Sequence, residues 1–371
     1  MNLNAIGIIF SNMHDEEMHE ITGSRTMGAL PFGGKYRLVD FALSNMRNSS
    51  VASVGIVAKS NYQSLLEHLG SGKEWDLARK REGLFLFPPY GRSSAGIYKN
   101  KIEALNGIMT YIDRSRYDYV IITDCDTICN MDWEEPLSFH ITQGADITVI
   151  SYKLKAEEER KKETVYSLSP EGLVTDMKIS QTAKESDIIG TNMWITGKQF
   201  LVSMIQEAMA YSLTDIEKDI FQKNLCRYKI AAWEYNGFLR KINSLNDYFK
   251  ANMDILEPEA RKVLFYNHGP VYTKVMDEIP VRYGHKAKVS HSLIADGCLI
   301  EGQVENSILF SAVTVEKGAV VKDSILMKGT YVGENAILQY VLSDKAVTFS
   351  NGRMLVGCEQ QPIYVNKGSK L

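Results

Sequence analysis

Residues 291–343 read HSLIADGCLIEGQVENSILFSAVTVEKGAVVKDSILMKGTYVGENAILQYVLS and contain one short pattern four times. The copies begin at His291, Asn306, Asp323 and Tyr340, and these starts are separated by 15, 17 and 17 residues. That spacing is close to three hexapeptides. Hexapeptide repeats build a parallel β-helix, in which each coil buries its apolar positions on the next coil. We therefore expect a β-helix in the C-terminal part of the chain.

A second series of turn residues followed by apolar residues lies between these copies, at Gly297–Ile300, Gly318–Val321 and Asn335–Leu338. A stack of coils leaves its end coils uncovered, so such modules usually pack against a neighbouring domain or another chain. Oligomerisation is therefore expected. An alternative interpretation is a hexapeptide acyltransferase with His291 as a base, but it gives the first two thirds of the chain no role.

Upstream of the repeats, short apolar runs alternate with longer mixed segments, the rhythm of β-α units that form a mostly parallel, doubly wound sheet. The pattern changes after Pro258, and helical periodicity ends at Pro280. We expect an α/β domain over residues 1–257, a linker over 258–280 and a β-helix domain over 281–371. The predicted strands are 4–10, 53–58, 119–123, 146–152 and 229–233, and the predicted helices are 38–48, 61–69, 101–113, 134–143, 198–211 and 244–255.

Two further segments receive no predicted function. The run Ala156–Glu163 is densely charged with both signs and is interpreted as an exposed helix or excursion. The aromatic residues between Phe85 and Tyr98 are expected in a loop.

The composition excludes several classes of protein. The chain has 371 residues, which favours two domains over one. Its 42 Lys and Arg against 45 Asp and Glu give a net charge of −3, so it lacks the basic excess that would bind nucleic acid or an anionic membrane. No apolar run approaches the roughly 18 residues of a membrane span, and Met1–Asn4 lacks the basic start of a signal peptide. We expect a cytoplasmic protein.

The segment Leu30–Asn45, LPFGGKYRLVDFALSN, is the most distinctive in the first domain. Gly33 and Gly34 allow close approach of the backbone to a ligand, and Lys35 and Arg37 supply cationic donors suited to phosphate. A basic turn before an amphipathic helix would explain Lys35 alone. The whole run closely resembles the glucose-1-phosphate adenylyltransferases, which make ADP-glucose for glycogen and starch synthesis.

Two more segments extend the resemblance over nearly the whole chain. Tyr119–Asp126 resembles the family strand that ends in a metal-binding aspartate, and Leu245–Leu256 resembles the family helix after a second aspartate. The resemblance implies an α/β fold: a Rossmann-like nucleotidyltransferase domain followed by a C-terminal left-handed parallel β-helix. It also implies Mg²⁺-assisted conversion of ATP and glucose 1-phosphate to ADP-glucose and pyrophosphate, although a fold alone does not establish catalysis.

The residues that would hold the nucleotide phosphates depart from the family pattern. The glycine-rich G-G-x-G-x-R-L loop is replaced by Ser11–Glu17, which contains no glycine and ends in three acids, Asp15–Glu17. Such a loop disfavours a polyanion. Arg25 retains a family arginine, but Met27 replaces the phosphate-facing lysine, and Asn100 replaces a glycine of the G-T-A-D-A motif.

The metal and sugar sites are altered as well. Asp126 matches the first family aspartate, whereas Lys241 falls on the second, so a cation stands where a metal ligand is expected. Asp124 is a poor substitute, because alternation along a strand points its side chain elsewhere. The family E-K-P has no counterpart between residues 174 and 188, and a family glycine falls near Asn192.

This combination of an intact core pattern and a lost active-site set resembles the GlgD-type regulatory subunits of bacterial ADP-glucose pyrophosphorylase. The resemblance implies a catalytically impaired chain that assembles with a catalytic glucose-1-phosphate adenylyltransferase subunit, as a heterotetramer. No catalytic residue is expected to be intact and no cofactor is assigned to this chain, with Mg²⁺ bound by the catalytic partner. Arg25, Lys35, Tyr36 and Arg37 are predicted to bind a substrate or a phosphorylated-sugar effector, and Asp126 is a residual metal ligand.

Three alternatives stay open. The retained residues of Leu30–Asn45 are equally explained by folding and packing alone. In the second alternative, the chain is an autonomous adenylyltransferase with an atypical site. The third alternative is a sugar-phosphate-binding sensor that has no catalytic partner.

Overall fold

The computed structural model describes residues 3–11, 18–79, 82–89, 98–154 and 160–371. The acidic loop Asp15–Glu17 and parts of the charged and aromatic segments lie outside the described residues. Within these ranges the chain forms an α/β domain followed by a three-sided β-helix.

Strands with buried apolar side chains form the centre of the first domain. All six residues of the first strand are buried, as expected for a strand covered on both faces. The strands are β1 (Ala5–Phe10), β2 (Pro31–Phe32), β3 (Tyr36–Arg37), β4 (Ser53–Val57), β5 (Gly83–Phe87), β6 (Tyr119–Asp124), β7 (Thr127–Cys129), β8 (Ile147–Lys153), β9 (Arg160–Leu168), β10 (Val174–Ala183), β11 (Ile188–Gly197), β12 (Ile230–Glu234) and β13 (Leu239–Lys241).

Nine of the described strands join in one mixed sheet. Its order is β10-β9-β11-β6-β1-β4-β5, with β8 paired to β11 and β12 paired to β8. Strands β5, β4, β1 and β6 are parallel, whereas β11 runs antiparallel to β6, β8 and β9. The five strands predicted from the sequence are present, but the sheet is less parallel than expected, because the antiparallel strands β9 to β11 follow the parallel core.

Helices cover the sheet. Helix α2 starts where the Asp40 carboxylate accepts a hydrogen bond from the Arg37 backbone N–H at 2.9 Å. The predictions 38–48 and 134–143 match the observed helices, and the predicted helix 101–113 is divided at Ile108. The helices are α1 (His19–Thr22), α2 (Leu38–Asn48), α3 (Gln63–Leu69), α4 (Lys101–Gly107), α5 (Met109–Arg114), α6 (Glu134–Gln143), α7 (Lys198–Ala210), α8 (Leu245–Asp254) and α9 (Pro258–Tyr266), with a π-helix at Ile216–Phe221 and 3-10 turns at Met27–Ala29, Lys73–Trp75 and Gln222–Asn224.

None of these helices combines the length and the apolar character that crossing a membrane requires, within the residues described.

The structure of the first domain differs from the sequence-based expectation in three segments. The predicted linker 258–280 begins with α9, which Pro258 starts and whose Leu264 and Phe265 are buried against the core; only 267–281 lack helix and strand. The charged run Ala156–Glu163 ends in a strand from Arg160 onward rather than in an exposed helix. Phe85 to Phe87 lie in β5, where two of their rings pack on Tyr111, and not in a loop.

The second domain is a β-helix of three parallel sheets. Its coils turn at His291, Asn306, Asp323 and Tyr340, whose φ angles of 43° to 50° are left-handed, so each predicted repeat begins at a corner. The strands are β14 (Arg282–Tyr283), β15 (Lys288–Ser290), β16 (Leu293–Ile294), β17 (Leu299–Ile300), β18 (Gln303–Glu305), β19 (Ile308–Leu309), β20 (Thr314–Val315), β21 (Val320–Lys322), β22 (Ile325–Leu326), β23 (Tyr331–Val332), β24 (Ile337–Gln339), β25 (Val341–Ser343), β26 (Thr348–Phe349), β27 (Met354–Val356) and β28 (Ile363–Val365).

One column of the β-helix meets the first domain. Ala295, Phe310, Met327 and Asp344 occupy the same position in successive coils, and the last three are buried. Phe310 and Met327 belong to the same hydrophobic cluster as the core of the first domain. The two domains therefore share a packed interface, and Asp344 is the one member of this column that carries a charge.

Candidate functional site

Asp126 lies at the carboxyl edge of the parallel strands, between β6 and β7. Ligands of α/β sheets bind at this edge. The Asp126 side chain is fully buried, its Oδ1 accepts a hydrogen bond from Thr127 Oγ1 at 3.0 Å, and its Oδ2 accepts one from Asn192 Nδ2 at 2.7 Å. Both carboxylate oxygens therefore already have protein donors.

Asn192, near which a family glycine falls, has a backbone conformation that glycine also adopts. Its φ is +59°, in the left-handed region that glycine and asparagine tolerate best, and it lies at a register irregularity of β11. An asparagine is thus tolerated at this irregularity, and its amide binds Asp126.

Lys241 lies beside the same carboxylate. Strand β13 pairs antiparallel with β7 and places Lys241 opposite Thr127, the neighbour of Asp126. The Lys241 ammonium lies 2.7 Å from Glu163 Oε2 and 3.3 Å from the Gly190 carbonyl oxygen, and the Lys241 and Glu163 side chains are 6% and 0% exposed. Burial lowers the pKa of Lys241, but the Glu163 and Asp126 carboxylates raise it by more, so the pKa lies above its ordinary value. Lys241 is therefore a buried cation.

Two further ion pairs complete this site. Lys101 Nζ lies 2.6 Å from Asp124 Oδ2, and although burial lowers the pKa of Lys101, Asp124 raises it above its ordinary value. Glu163 also accepts hydrogen bonds from Arg160 Nε and Asn243 Nδ2, both at 3.0 Å. We call the set Lys101, Asp124, Asp126, Glu163, Asn192 and Lys241 the strand-edge network.

Mg²⁺ does not fit the strand-edge network. Mg²⁺ binds to negatively charged oxygen ligands, whereas the charges of Asp126 and Glu163 already interact with the Lys241 ammonium, and the Asp126 oxygens accept hydrogen bonds from Thr127 and Asn192. No group of three His, Cys, Asp or Glu side chains in the described part of the chain could hold a metal ion. The role of residual metal ligand predicted for Asp126 is therefore not supported by its surroundings.

A cavity of about 660 Å³ opens beside the network. Its lining includes cations (Arg160, Lys161, Lys162), acids (Glu163, Glu217, Asp247) and the amides Asn192 and Asn243. Cations next to amide donors suit a phosphorylated sugar. Arg160–Glu163, the described end of the charged run, thus borders this cavity.

Arg25 lies at the contact between the two domains instead of in an open site. Its Nη2 donates to both carboxylate oxygens of Asp344, at 2.8 and 2.7 Å, and each side chain is only 3% exposed. Tyr364 Oη also donates to Asp344 at 3.1 Å. The predicted ligand-binding role of Arg25 is thus replaced by a buried ion pair that joins the domains.

Further cations surround this ion pair. Burial, followed by the charges of Arg37 and Arg25, lowers the pKa of Lys345 to about 8, and Lys367 adds to this effect. Lys345 is half-buried and Lys367 is exposed. We call Arg25, Arg37, Lys345 and Lys367 the junction cluster; its positive charge is partly offset by Asp344 and, at Arg37, by Asp40 and Glu67.

The remaining predicted residues are divided between packing and solvent. Tyr36 stacks on Phe265 with ring centroids 4.9 Å apart, and Arg37 Nη1 donates to the Ser64 carbonyl oxygen at 2.6 Å. Lys35 is exposed, with its Nζ 5.0 Å from the Tyr36 ring centroid. The structure therefore brings Arg25 and Arg37 together and leaves Lys35 as the accessible cation of the turn.

The glycine pair before Lys35 serves the fold. Gly33 and Gly34 have φ angles of +58° and +88°, and a Cβ on Gly33 would lie 2.8 Å from Ile255 Cδ1. The positive φ angles of both residues, and the close contact at Gly33, are sufficient to explain why glycine occupies these two positions, and no bound ligand is needed to explain it.

Sequence reasoning missed Glu163 and Asp344, although each had a signal. Asp344 stands where the preceding repeats carry Phe310 and Met327, and a charged residue at an apolar repeat position calls for a buried partner. Glu163 precedes the alternating segment TVYSL, typical of a strand. His291, considered as an acyltransferase base, lies at a β-helix corner, 2.8 Å from Asn306 Oδ1.

The chain matches two family models. Residues 9–176 match the model described as Nucleotidyl transferase, and residues 278–362 match the one described as GlmU-like, C-terminal hexapeptide. These matches and the three parallel sheets confirm the predicted fold class, a nucleotidyltransferase domain followed by a left-handed β-helix.

Full-length relatives share both domains. The chain is 34% identical over 367 residues to the glycogen biosynthesis protein GlgD of Bacillus subtilis (strain 168), covering 99% of this chain and 97% of the relative. It is 36% identical over 372 residues to the glycogen biosynthesis protein GlgD of Geobacillus stearothermophilus, covering 100% and 98%. It is 28% identical over 355 residues to the glucose-1-phosphate adenylyltransferase of Bacillus thuringiensis (strain Al Hakam), covering 94% of each.

Proposed function

Because the chain belongs to the family of the glycogen biosynthesis protein GlgD, we propose that it is a catalytically impaired, regulatory subunit of ADP-glucose pyrophosphorylase in glycogen biosynthesis. In this proposal it assembles in the cytoplasm with a catalytic glucose-1-phosphate adenylyltransferase as a heterotetramer, and the catalytic subunit binds Mg²⁺ and performs the reaction.

The observation that carries the proposal is the buried Lys241–Glu163 ion pair beside Asp126. Adenylyl transfer depends on positioning a triphosphate and on neutralising its charge with a metal ion. At this strand edge the carboxylates are instead neutralised by lysines of the chain itself, Lys101 and Lys241. An oxygen-ligand site for Mg²⁺ is thus replaced by a closed set of internal contacts.

Assembly is supported by the open end of the β-helix. Strand β27 is the last of its sheet, and its Met354 and Val356 are 62% and 53% exposed. An uncovered coil with apolar side chains is suited to contact with another chain. Such a partner changes activity only if the active conformation of the catalytic subunit binds this chain more tightly than the inactive one does.

The proposed site for a phosphorylated-sugar effector is the junction cluster. Arg25 is already held by Asp344, so the cations left for a ligand are half-buried Arg37 of the first domain and Lys345 and Lys367 of the second, and an anion bound between them would stabilise the contact of the domains. Burial, and after it the charges of Arg37 and Arg25, lowers the pKa of Lys345, and a bound anion would offset the part that comes from these cations. Lys35, exposed on the neighbouring turn, is the residue best able to reach a ligand.

We expect anion binding to the junction cluster to weaken as the pH rises through about 8. A bound dianion favours protonated Lys345, so binding above pH 8 takes up a proton and its affinity falls by up to about tenfold per pH unit. Calorimetric titration with sulfate and with fructose 1,6-bisphosphate measures this dependence. Lys345→Gln is expected to weaken binding and flatten the pH profile, with Lys73→Gln as the control; an unchanged profile in Lys345→Gln would exclude this cluster.

Lys35→Ala is expected to weaken activation of the mixed complex by a sugar phosphate and to leave assembly intact, because Lys35 is exposed and makes no ion pair among the described residues. The measurement is the effector concentration for half-maximal activation, with exposed Lys73→Ala as the matched control. An unchanged effector curve removes Lys35 from the proposed site.

The regulatory proposal is tested by mixing the chain with the glucose-1-phosphate adenylyltransferase of the same organism. Light scattering after gel filtration reports whether a hetero-oligomer forms, and ADP-glucose synthesis reports its rate and effector response. A complex with a changed rate or response is expected. A mixture in which each protein elutes and behaves as it does alone would contradict the proposal.

A sugar-phosphate sensor without a catalytic partner is the second candidate. The observation that favours it is the cavity of about 660 Å³ lined by Arg160, Lys161 and Lys162. Tight binding of a sugar phosphate that is lost in Lys161→Gln, together with no association in the mixing experiment, would favour this candidate.

A further inference from the structure

The strand-edge network holds two fully buried carboxylates and a buried ammonium that interacts with both. Asp126 and Glu163 are each 0% exposed, and Lys241 is the cation whose charge acts on both of them. We propose that the Lys241 ammonium permanently takes the place of a divalent cation, so that this edge of the sheet binds a divalent cation only when Lys241 is replaced by an acid. This inference concerns the chain alone and goes beyond its proposed role as a subunit.

The positions of the three residues support this assignment. Lys241 ends β13, Asp126 precedes β7 and Glu163 lies in β9, so the ammonium joins segments that are distant in the sequence. Buried carboxylates stay ionised only beside a cation or several donors. A divalent ion would meet the same requirement, but a lysine side chain is tethered and does not dissociate.

Replacement of Lys241 by aspartate reverses the charge balance at this point. Asp126 and Glu163 keep lone pairs beyond those that accept their present hydrogen bonds, so with the new carboxylate they would supply three oxygen ligands in a buried site, a set that suits Mg²⁺ or Mn²⁺. Without a metal, three buried carboxylates repel one another. The variant should therefore be unstable alone and stabilised by the ion, because a ligand that binds only the folded state raises its stability.

The experiment measures Mn²⁺ binding by the loss of the free-ion electron paramagnetic resonance signal, and thermal unfolding with and without Mn²⁺. The wild-type chain, Lys241→Asp and the control Lys250→Asp, which makes the same charge change at an exposed position on α8, are compared. Lys241→Asp is expected to bind one Mn²⁺ at least about tenfold more tightly than the other two proteins. Its unfolding temperature should fall by several degrees without Mn²⁺ and recover with it, and Asp126→Asn in the same chain should abolish the gain.

Three results would overturn the proposal. The first is Mn²⁺ binding by the wild-type chain that is lost in Asp126→Asn. The second is a folded Lys241→Asp variant with no gain in Mn²⁺ affinity. The third applies if Lys241→Asp does not fold with or without Mn²⁺: Lys241→Glu, which also introduces an acid, then replaces it, and an unfolding temperature of Lys241→Glu that does not respond to Mn²⁺ contradicts the proposal.

Discussion

Asp344→Asn is expected to lower the free energy of unfolding by about 3–5 kcal/mol, because it leaves the Arg25 guanidinium buried without a counter-ion. The two side chains are each 3% exposed, so water cannot replace the lost carboxylate. Urea unfolding measures the effect. Tryptophan fluorescence reports the first domain, since all four tryptophans lie there, and far-ultraviolet circular dichroism reports both domains.

The control for this prediction is Asp296→Asn, which makes the same change at an exposed position of the β-helix and should alter stability little. The double variant Arg25→Met with Asp344→Leu should recover much of the loss, because a buried ion pair is often replaced by apolar side chains without net cost. Similar unfolding of Asp344→Asn and Asp296→Asn would show that the Arg25–Asp344 pair does not hold the domains together.

Glu163→Gln is expected to destabilise the first domain by a similar amount, about 3–5 kcal/mol, because it removes the counter-ion of buried Lys241. The pKa of Lys241 lies above its ordinary value of 10.5, so this stabilisation is present at neutral pH and is lost only as the pH rises beyond that value. Urea unfolding followed by fluorescence at neutral pH measures the loss.

The chain offers a closely matched control. Lys322 and Glu305 also lie 2.7 Å apart, but their side chains are 43% and 54% exposed. Glu305→Gln should therefore have little effect, because solvent screens an exposed pair. If Glu163→Gln and Glu305→Gln lower the free energy of unfolding by the same amount, burial does not distinguish the two ion pairs. The strand-edge network would then not stabilise the first domain as proposed.

Much of the fold could be predicted because its signals are local. Helix 38–48 follows a turn and ends after one amphipathic run, and the four β-helix corners repeat at nearly constant spacing. Strands β9 to β11 were missed because their polar residues obscure the period of two. Glu163 in β9 is buried and forms an ion pair with Lys241, which lies 78 residues further along the chain. No local sequence pattern reveals such a partner.

The site could be predicted less well for the same reason. The resemblance directed attention to Asp126 and Lys241, which lie on paired segments of the structure and interact electrostatically. Arg25 was expected to face a ligand, but its partner Asp344 is 319 residues away in another domain. Which cations face solvent and which are neutralised internally depends on tertiary packing.

A catalytically impaired subunit does not transfer adenylyl groups when it is alone. The most direct test is formation of labelled ADP-glucose from ATP and glucose 1-phosphate by the purified chain with Mg²⁺, beside its Asp126→Asn variant prepared identically. Enzymes typically turn over at about 1 to 1,000 per second, so even weak catalysis is detectable. We predict no synthesis above that of the variant. Sustained synthesis by the wild-type chain that is lost in Asp126→Asn would contradict the account and identify an autonomous adenylyltransferase with an atypical site.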